Sequence, residues 1–315
     1  MEWQSLAALI VYLSLLIRAY RHGAKDMFNL KKAGPVIVAF SLALSVPAVA
    51  ANDDAAHALE SSVASRSADD RARDSARHPA QTLRFFRVEP GMSVAEALPG
   101  GGWYTRVLAP YLGTKGTIAG VNYSNNIWPL FGFMDDTAIA TRIAATEQFP
   151  QMVADITDNG ISARGFTFAA IPEDMRNSVD RVLVIRALHN LNRFESAAGT
   201  RSQALAAINA MLKEDGMVGV VQHRAPESAS TPSTDGRRGY LKQSEVIAAF
   251  ENAGFELLAT SELNANPKDQ PKPEDIVWRL PPSLSSTGDN PEGRAAMEAI
   301  GESDRMTLLF KKTKT

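Results

Sequence analysis

Cysteine is absent from all 315 residues. That excludes disulfides, thiol nucleophiles and thiolate metal sites, and it fits an exported protein without requiring one. An excess of charge is lacking too. Thirty-three Lys and Arg against 35 Asp and Glu leave a formal charge of -2, so nothing draws the chain to nucleic acid. Long hydrophobic runs are scarce: the first apolar stretch, residues 6–17, is short of the roughly 20 residues that span a bilayer. The five histidines show no HxH or HExxH spacing, so no motif supplies a full set of metal ligands. No internal repeat is visible.

What is present starts with a leader. Residues 28–50 place Lys31 and Lys32 before an apolar run that ends in Ala48-Val49-Ala50. Basic start, apolar middle and small-residue end describe a secretory signal peptide. With Met27 as the translation start, residues 1–26 are an upstream extension and 27–50 the signal peptide. The expected location is periplasmic or secreted, with an uncleaved inner-membrane anchor as the alternative. Membrane contact is expected only through this segment. Residues 51–66 are small, polar and charged and read as a linker; residues 67–315 form the expected domain.

Inside the domain, strand and helix signals alternate. Strands are expected at 93–98, 117–121, 164–169, 180–185, 217–222, 255–263 and 305–311. Residues 180–185, DRVLVI, form the near-continuous apolar run of a central parallel strand. Helices are expected at 67–86 (with Pro79 as a break or a new start), within 136–156, at 195–212 and at 244–252. Alternation with short links implies an α/β, doubly wound, largely parallel sheet. The last two strands follow the last good helix with no helix between them, which predicts an antiparallel pair. Residues 264–290, rich in proline, lysine and aspartate, read as a long surface excursion.

The chain is organised around residues 92–112, MSVAEALPGGGWYTRVLAPYL. A short strand runs into Pro99, then Gly100, Gly101 and Gly102, then a helix. Such a turn lets a ligand lie on bare backbone beside the unpaired N–H groups of a helix start. Two readings compete. A dinucleotide fold needs G-x-G-x-x-G and an acidic residue about 20 positions on; here the glycines are consecutive and position 122 is asparagine. The other reading is an S-adenosylmethionine site.

Several segments carry a resemblance to a family. They are DRARDSARHPAQTLRFF, EALPGGGWYTRVLAPYL, VIRALHNL, VVQHRAP, RGYLKQSEVIAAFENAGFELL and SELNANPKD. Together they resemble the bacterial predicted methyltransferases, class I S-adenosylmethionine-dependent proteins of an exported type. The resemblance implies a seven-stranded Rossmann-like methyltransferase sheet with an antiparallel last strand. It lays Glu96 through Gly102 over the D/E-x-G-x-G-x-G loop. Glu96 then faces the cofactor's amino end, while Pro99, Gly100, Gly101 and Gly102 carry its backbone cradle. Asn122 stands where an acidic residue commonly holds the ribose. Leu98 departs from the pattern by replacing the first glycine.

His189 and His223 each follow a strand at the carboxyl edge of the sheet. There they serve as acid/base or substrate groups, as two ligands of a metal that would need a third, or as structural histidines. Tyr240, with Arg237 and Arg238, orients a substrate or belongs to a solvated loop. Tyr104 and Trp103 wall the cofactor pocket or pack their helix. Arg73, Asp74 and Arg77 lid the cofactor or form a solvated face. The expected function is transfer of a methyl group from S-adenosylmethionine to an unknown, small acceptor, with His189, His223 and Tyr240 as catalytic candidates. The alternative is a non-catalytic, exported ligand-binding protein on a degenerate methyltransferase fold. Export would part the protein from a cytoplasmic methyl donor, which favours that alternative.

Overall fold

A computed structural model describes residues 46–313. The chain divides into a unit ending at Asp53 and a unit from Asp54 to Thr315; the second carries everything below. The expected extension, and the leader before Val46, lie outside the described residues.

Seven strands form the sheet: β1 (Ser93–Ala97), β2 (Thr117–Asn122), β3 (Ser162–Thr167), β4 (Val179–Ile185), β5 (Leu212–Ala225), β6 (Phe255–Ser261) and β7 (Arg305–Lys312). Their spatial order is β3-β2-β1-β4-β5-β7-β6, and a two-residue strand, Leu241–Lys242, pairs beside the end of β5. The first five strands are mutually parallel. β7 inserts antiparallel between β5 and β6, pairing Val220 with Leu308 and Thr260 with Leu308. This is the expected doubly wound, seven-stranded Rossmann-like α/β sheet with its last strand antiparallel.

Alternating strand residues feed two apolar layers. Ala95, Val182, Val184, Val218 and Leu308 pack on one face, under α7 (Thr200–Met211) and α8 (Gln243–Asn252). Val94, Leu183, Val221 and Leu309 pack on the other, under α3 (Thr105–Leu112) and α5 (Phe149–Ile156). Period-two alternation delivers both faces from the same short runs. Each fully buried Leu or Phe contributes about 2–3 kcal/mol of burial free energy.

The structure corrects several expectations. The stretch expected as a linker at 51–66 is helical, in α1 (Val46–Ala64), and Leu59 is fully buried. The helix expected at 67–86 is three pieces: one-turn helices Ala68–Arg71 and Asp74–Arg77, then α2 (Pro79–Phe85). His78, at φ 43, turns the chain between the last two, and Pro79 opens α2 at its first position, where a missing N–H costs no helix hydrogen bond. Residues 136–156 likewise split into α4 (Asp136–Glu147) and α5, whose first turn holds Pro150. Gly199, in the left-handed region, separates the one-turn helix Glu195–Ala198 from α7. A helix, α9 (Pro291–Ile300), does lie between β6 and β7. The antiparallel pairing stands, but the reason given for it does not.

Candidate functional site

Two cavities open at the carboxyl edge of the parallel strands, one on either side of the glycine turn. The larger, about 670 Å³, is lined by Glu96, Gly101, Tyr104, Arg186, His189 and His223 among others. The smaller, about 230 Å³, is lined by Asn122, Tyr123, Trp128, Phe131, Phe149 and Met152 among others. Leu98, Pro99, Gly100 and Asn190 belong to both walls.

The turn between them has a specific backbone. Leu98, Gly100 and Gly102 have φ of 51, 58 and 74. The three positions that the D/E-x-G-x-G-x-G pattern gives to glycine are thus the three with left-handed backbone. Leu98 keeps that geometry at a strain of about 1–2 kcal/mol. It is held there by its N–H, which donates to Val121 of β2 at 2.8 Å. A Cβ on Gly101 would meet nothing within 4 Å, whereas one on Gly102 would meet Met152 Sδ at 2.7 Å. Gly101 therefore borders open space and Gly102 borders protein.

Around the turn, Glu96 is buried at the end of β1 and accepts a 2.6 Å hydrogen bond from the Thr105 hydroxyl. Burial raises its pKa to about 7, against the Thr105 hydrogen bond and the nearby Arg106 charge, which lower it. Arg106 donates to both oxygens of Asp70, at 2.6 and 2.8 Å, and to the Gly101 carbonyl at 2.7 Å. The lead-in segment is thereby clamped to the turn. Tyr104 is buried, its hydroxyl 3.5 Å from the Arg77 carbonyl, and Trp103 lies under the guanidinium groups of Arg66 and Arg77.

On the far side of the larger cavity, His189 at the start of α6 (Leu188–Arg193) and His223 in β5 bring their ring centroids to 5.3 Å. Gln222 fixes the state of His189. Its Nε2 donates to the carbonyls of Gly239 and His223, at 2.8 and 3.3 Å. Its Oε1 therefore faces His189 and accepts from the backbone N–H and from Nδ1, at 3.1 and 3.2 Å. The imidazole carries its proton on Nδ1 and keeps Nε2 as a bare acceptor. Burial pushes its pKa down to about 4. His223 has Nδ1 2.6 Å from the Ser303 hydroxyl, and burial, then the neighbouring His189, hold it well below the usual histidine range. Both rings are neutral at pH 7.

Tyr240 is not part of this group. Its ring is 6.4 Å from that of His223, but its hydroxyl donates to Asp269, at 3.1 Å to the nearer oxygen, and it does not line the larger cavity. Arg237 and Arg238 also lie outside that wall. Asp269 is a structural hub: it accepts from Tyr240, from Arg279 at 2.8 Å, and from the Asp304 N–H at 3.0 Å. This hub anchors the excursion at 264–290, which sends Trp278 into the cavity wall, 5.9 Å from His189 between ring centroids. The sequence reading did not place Trp278 or Arg186 at the site. The only hints were an aromatic inside a polar loop and a basic residue directly after the central strand.

The smaller cavity holds Asn122, whose amide donates to the Thr146 hydroxyl at 3.0 Å. Two of its wall residues, Tyr123 and Trp128, keep a buried hydroxyl and a buried indole N–H with no partner. Unpaired buried polar atoms carry a free-energy cost that a ligand bound beside them can offset. Among the described residues no group of three His, Asp or Glu could hold a metal ion. No described helix is long and apolar enough to cross a membrane.

No family model matches the chain, and no curated relative matches it. Several solved structures are distantly similar to it. One is a [4+2]-cyclase, SpnF, at 15% identity and TM-score 0.46, over 76% of this chain and 81% of that one. Another is a SAM-dependent methyltransferase from Aquifex aeolicus, at 16% identity and TM-score 0.42, over 61% and 86%. A third is 1,6-didemethyltoxoflavin-N1-methyltransferase from Burkholderia thailandensis with bound S-adenosylhomocysteine, at 14% identity and TM-score 0.41, over 85% and 88%.

Proposed function

We propose that the chain is an S-adenosylmethionine-dependent methyltransferase acting on a small-molecule acceptor. One observation carries the reading: the glycine turn keeps the cofactor-loop backbone at all three of its positive-φ positions and lays open backbone between two cavities. The residues fit the cofactor. Glu96 faces its ammonium group, Gly100 and Gly101 let it approach the main chain, and Asn122 meets the ribose. Tyr123 and Trp128 offer their unpaired polar atoms around the adenosine half.

When bound, the cofactor supplies a methyl group activated on a sulfonium. The chain's own contribution is positioning and proton handling. The walls of the larger cavity hold the acceptor against the turn, which turns a bimolecular encounter into an oriented one. His189, with a bare Nε2 fixed by Gln222, takes a proton from a hydroxyl or amine nucleophile. A pKa near 4 keeps it in the accepting form at neutral pH. It also makes it a weak base, suited to proton capture late in the transfer.

The test is a calorimetric titration of the full chain with S-adenosylmethionine and S-adenosylhomocysteine. Saturable binding that Gly101→Leu abolishes supports the reading; no binding at millimolar ligand overturns it. One N–H of the Asn122 amide is engaged by Thr146, which leaves its carbonyl oxygen to accept from a ribose hydroxyl. Binding without transfer of a methyl group would favour the second reading, a ligand-binding protein without catalysis. Export through residues 27–50 is part of the proposal. An N-terminal mass that retains the residues before Ala51 would contradict cleavage.

A further inference from the structure

We propose that the larger cavity binds the oxyanion of its acceptor, a carboxylate or a phosphate, through Arg77, Arg186 and Arg73. The proposal rests on the methyl-transfer reading of that cavity and names the substrate class. All three arginines line the wall beside His189 and His223. Arg77 is 2% exposed, and its Nε donates to both oxygens of Glu302 at 3.0 Å. Its guanidinium lies over the Trp103 ring, but both terminal nitrogens, Nη1 and Nη2, are buried without a hydrogen-bond partner. An ordinary structural arginine at this depth would have them satisfied.

Arg186 comes from the turn directly after β4, at φ 54, where its N–H donates to Val221 at 2.6 Å. No hydrogen bond or ion pair engages its guanidinium among the described residues. Burial, with the charges of Arg77 and Arg305 adding to it, pushes its pKa down to about 9.

The charges do not balance. Glu302 also takes Arg305, at 3.0 Å, so one carboxylate faces four guanidinium groups. Asp70 and Asp74 are taken by Arg106 and Arg66, and Asp69, the wall's other aspartate, is solvent-exposed and pairs with none of the three arginines. Glu96 is only partly ionised at neutral pH. S-adenosylmethionine cannot restore neutrality, since its one carboxylate is outweighed by an ammonium and a sulfonium. A second, anionic ligand can: guanidinium groups match carboxylate and phosphate in fork geometry, and buried positive charge without a counter-ion is costly. Bound there, the oxyanion places the rest of the acceptor beside the histidine pair.

The test is a calorimetric titration of the full chain, without cofactor, with inorganic phosphate and separately with succinate, against sodium chloride at equal ionic strength. At least one oxyanion should bind saturably and more tightly than chloride, and the stronger of the two identifies the acceptor's anionic group. Arg186→Met, which keeps an apolar stem, should weaken it about tenfold or more. Arg186→Lys, which keeps the charge, should recover part of the loss and shows that the site still folds.

Neither oxyanion binding better than chloride, or Arg186→Met binding as wild type, would overturn the proposal. So would strict competition between phosphate and S-adenosylmethionine, which would assign the arginines to the cofactor's own carboxylate. Cofactor binding without oxyanion binding would sink this inference alone; oxyanion binding without cofactor binding would sink the methyltransferase reading.

Discussion

Gly101 and Gly102 are adjacent, yet the structure gives them opposite jobs, and a matched pair of alanine substitutions separates them. Gly102 has φ 74, and an added Cβ would stand 2.7 Å from Met152 Sδ. The left-handed backbone costs an alanine about 1–2 kcal/mol. Moving the flexible end of a methionine adds up to about 1 kcal/mol, at the low end of overpacking penalties. Gly102→Ala should therefore lose about 1–3 kcal/mol, a drop of roughly 2–12 °C in melting temperature for a domain of this size.

Gly101 is outside the left-handed region, and its Cβ would meet nothing within 4 Å. Gly101→Ala should be neutral, or more stable by about 0.4–1 kcal/mol through a less flexible unfolded chain. It should bind S-adenosylmethionine less tightly all the same, because the methyl occupies the space over the turn. Thermal melts and a cofactor titration on both variants decide it. Equal destabilisation at the two positions, or Gly101→Ala binding as wild type, would refute the division of roles.

Three further outcomes follow from the same site. Glu96 has a folded pKa of about 7 against an ordinary 4.5. The folded state thus holds more protons between those values, and stability falls as pH rises through that window, by up to about 3 kcal/mol. In urea melts Glu96→Gln should lack this fall and differ from wild type by a constant above pH 7; parallel curves throughout would contradict the burial of an ionisable group. His189 should show nitrogen chemical shifts of the Nδ1-protonated tautomer by NMR and remain neutral down to about pH 4; titration near 6.5 would remove the argument from Gln222. Arg106→Met should free Asp70 and the Gly101 carbonyl. It should cost about 1–3 kcal/mol and raise hydrogen exchange over residues 68–77; unchanged exchange would mean that the clamp does not hold the lead-in segment.

The strands were legible because each is a short apolar run bounded by turn residues. β4 was read within one residue of its observed Val179–Ile185. The glycine turn and both histidines were legible for the same reason: they sit at strand ends, where local pattern and topology coincide. Helix α9 was missed because it fully buries no residue and its apolar stripe is reduced to the half-buried Met297 and Ile300; Asn290-Pro291 before it and Gly301 after it mark its ends. Tyr240 was misplaced because its hydroxyl is claimed by Asp269, 29 positions on. The charged run at 69–77 left open whether it faced solvent or ligand, and the structure divides it. Arg73 and Arg77 line the cavity, while Asp74 pairs with Arg66. Pairings made across the fold leave no periodic trace in the sequence.

The most direct test of the central claim is a crystal structure of the full chain grown with S-adenosylhomocysteine. The account predicts the amino acid half beside Glu96 and the open backbone of Gly100 and Gly101, with the adenosine half in the cavity of Asn122, Tyr123 and Trp128. Ligand density at any other place, or an empty turn at saturating ligand, would contradict it.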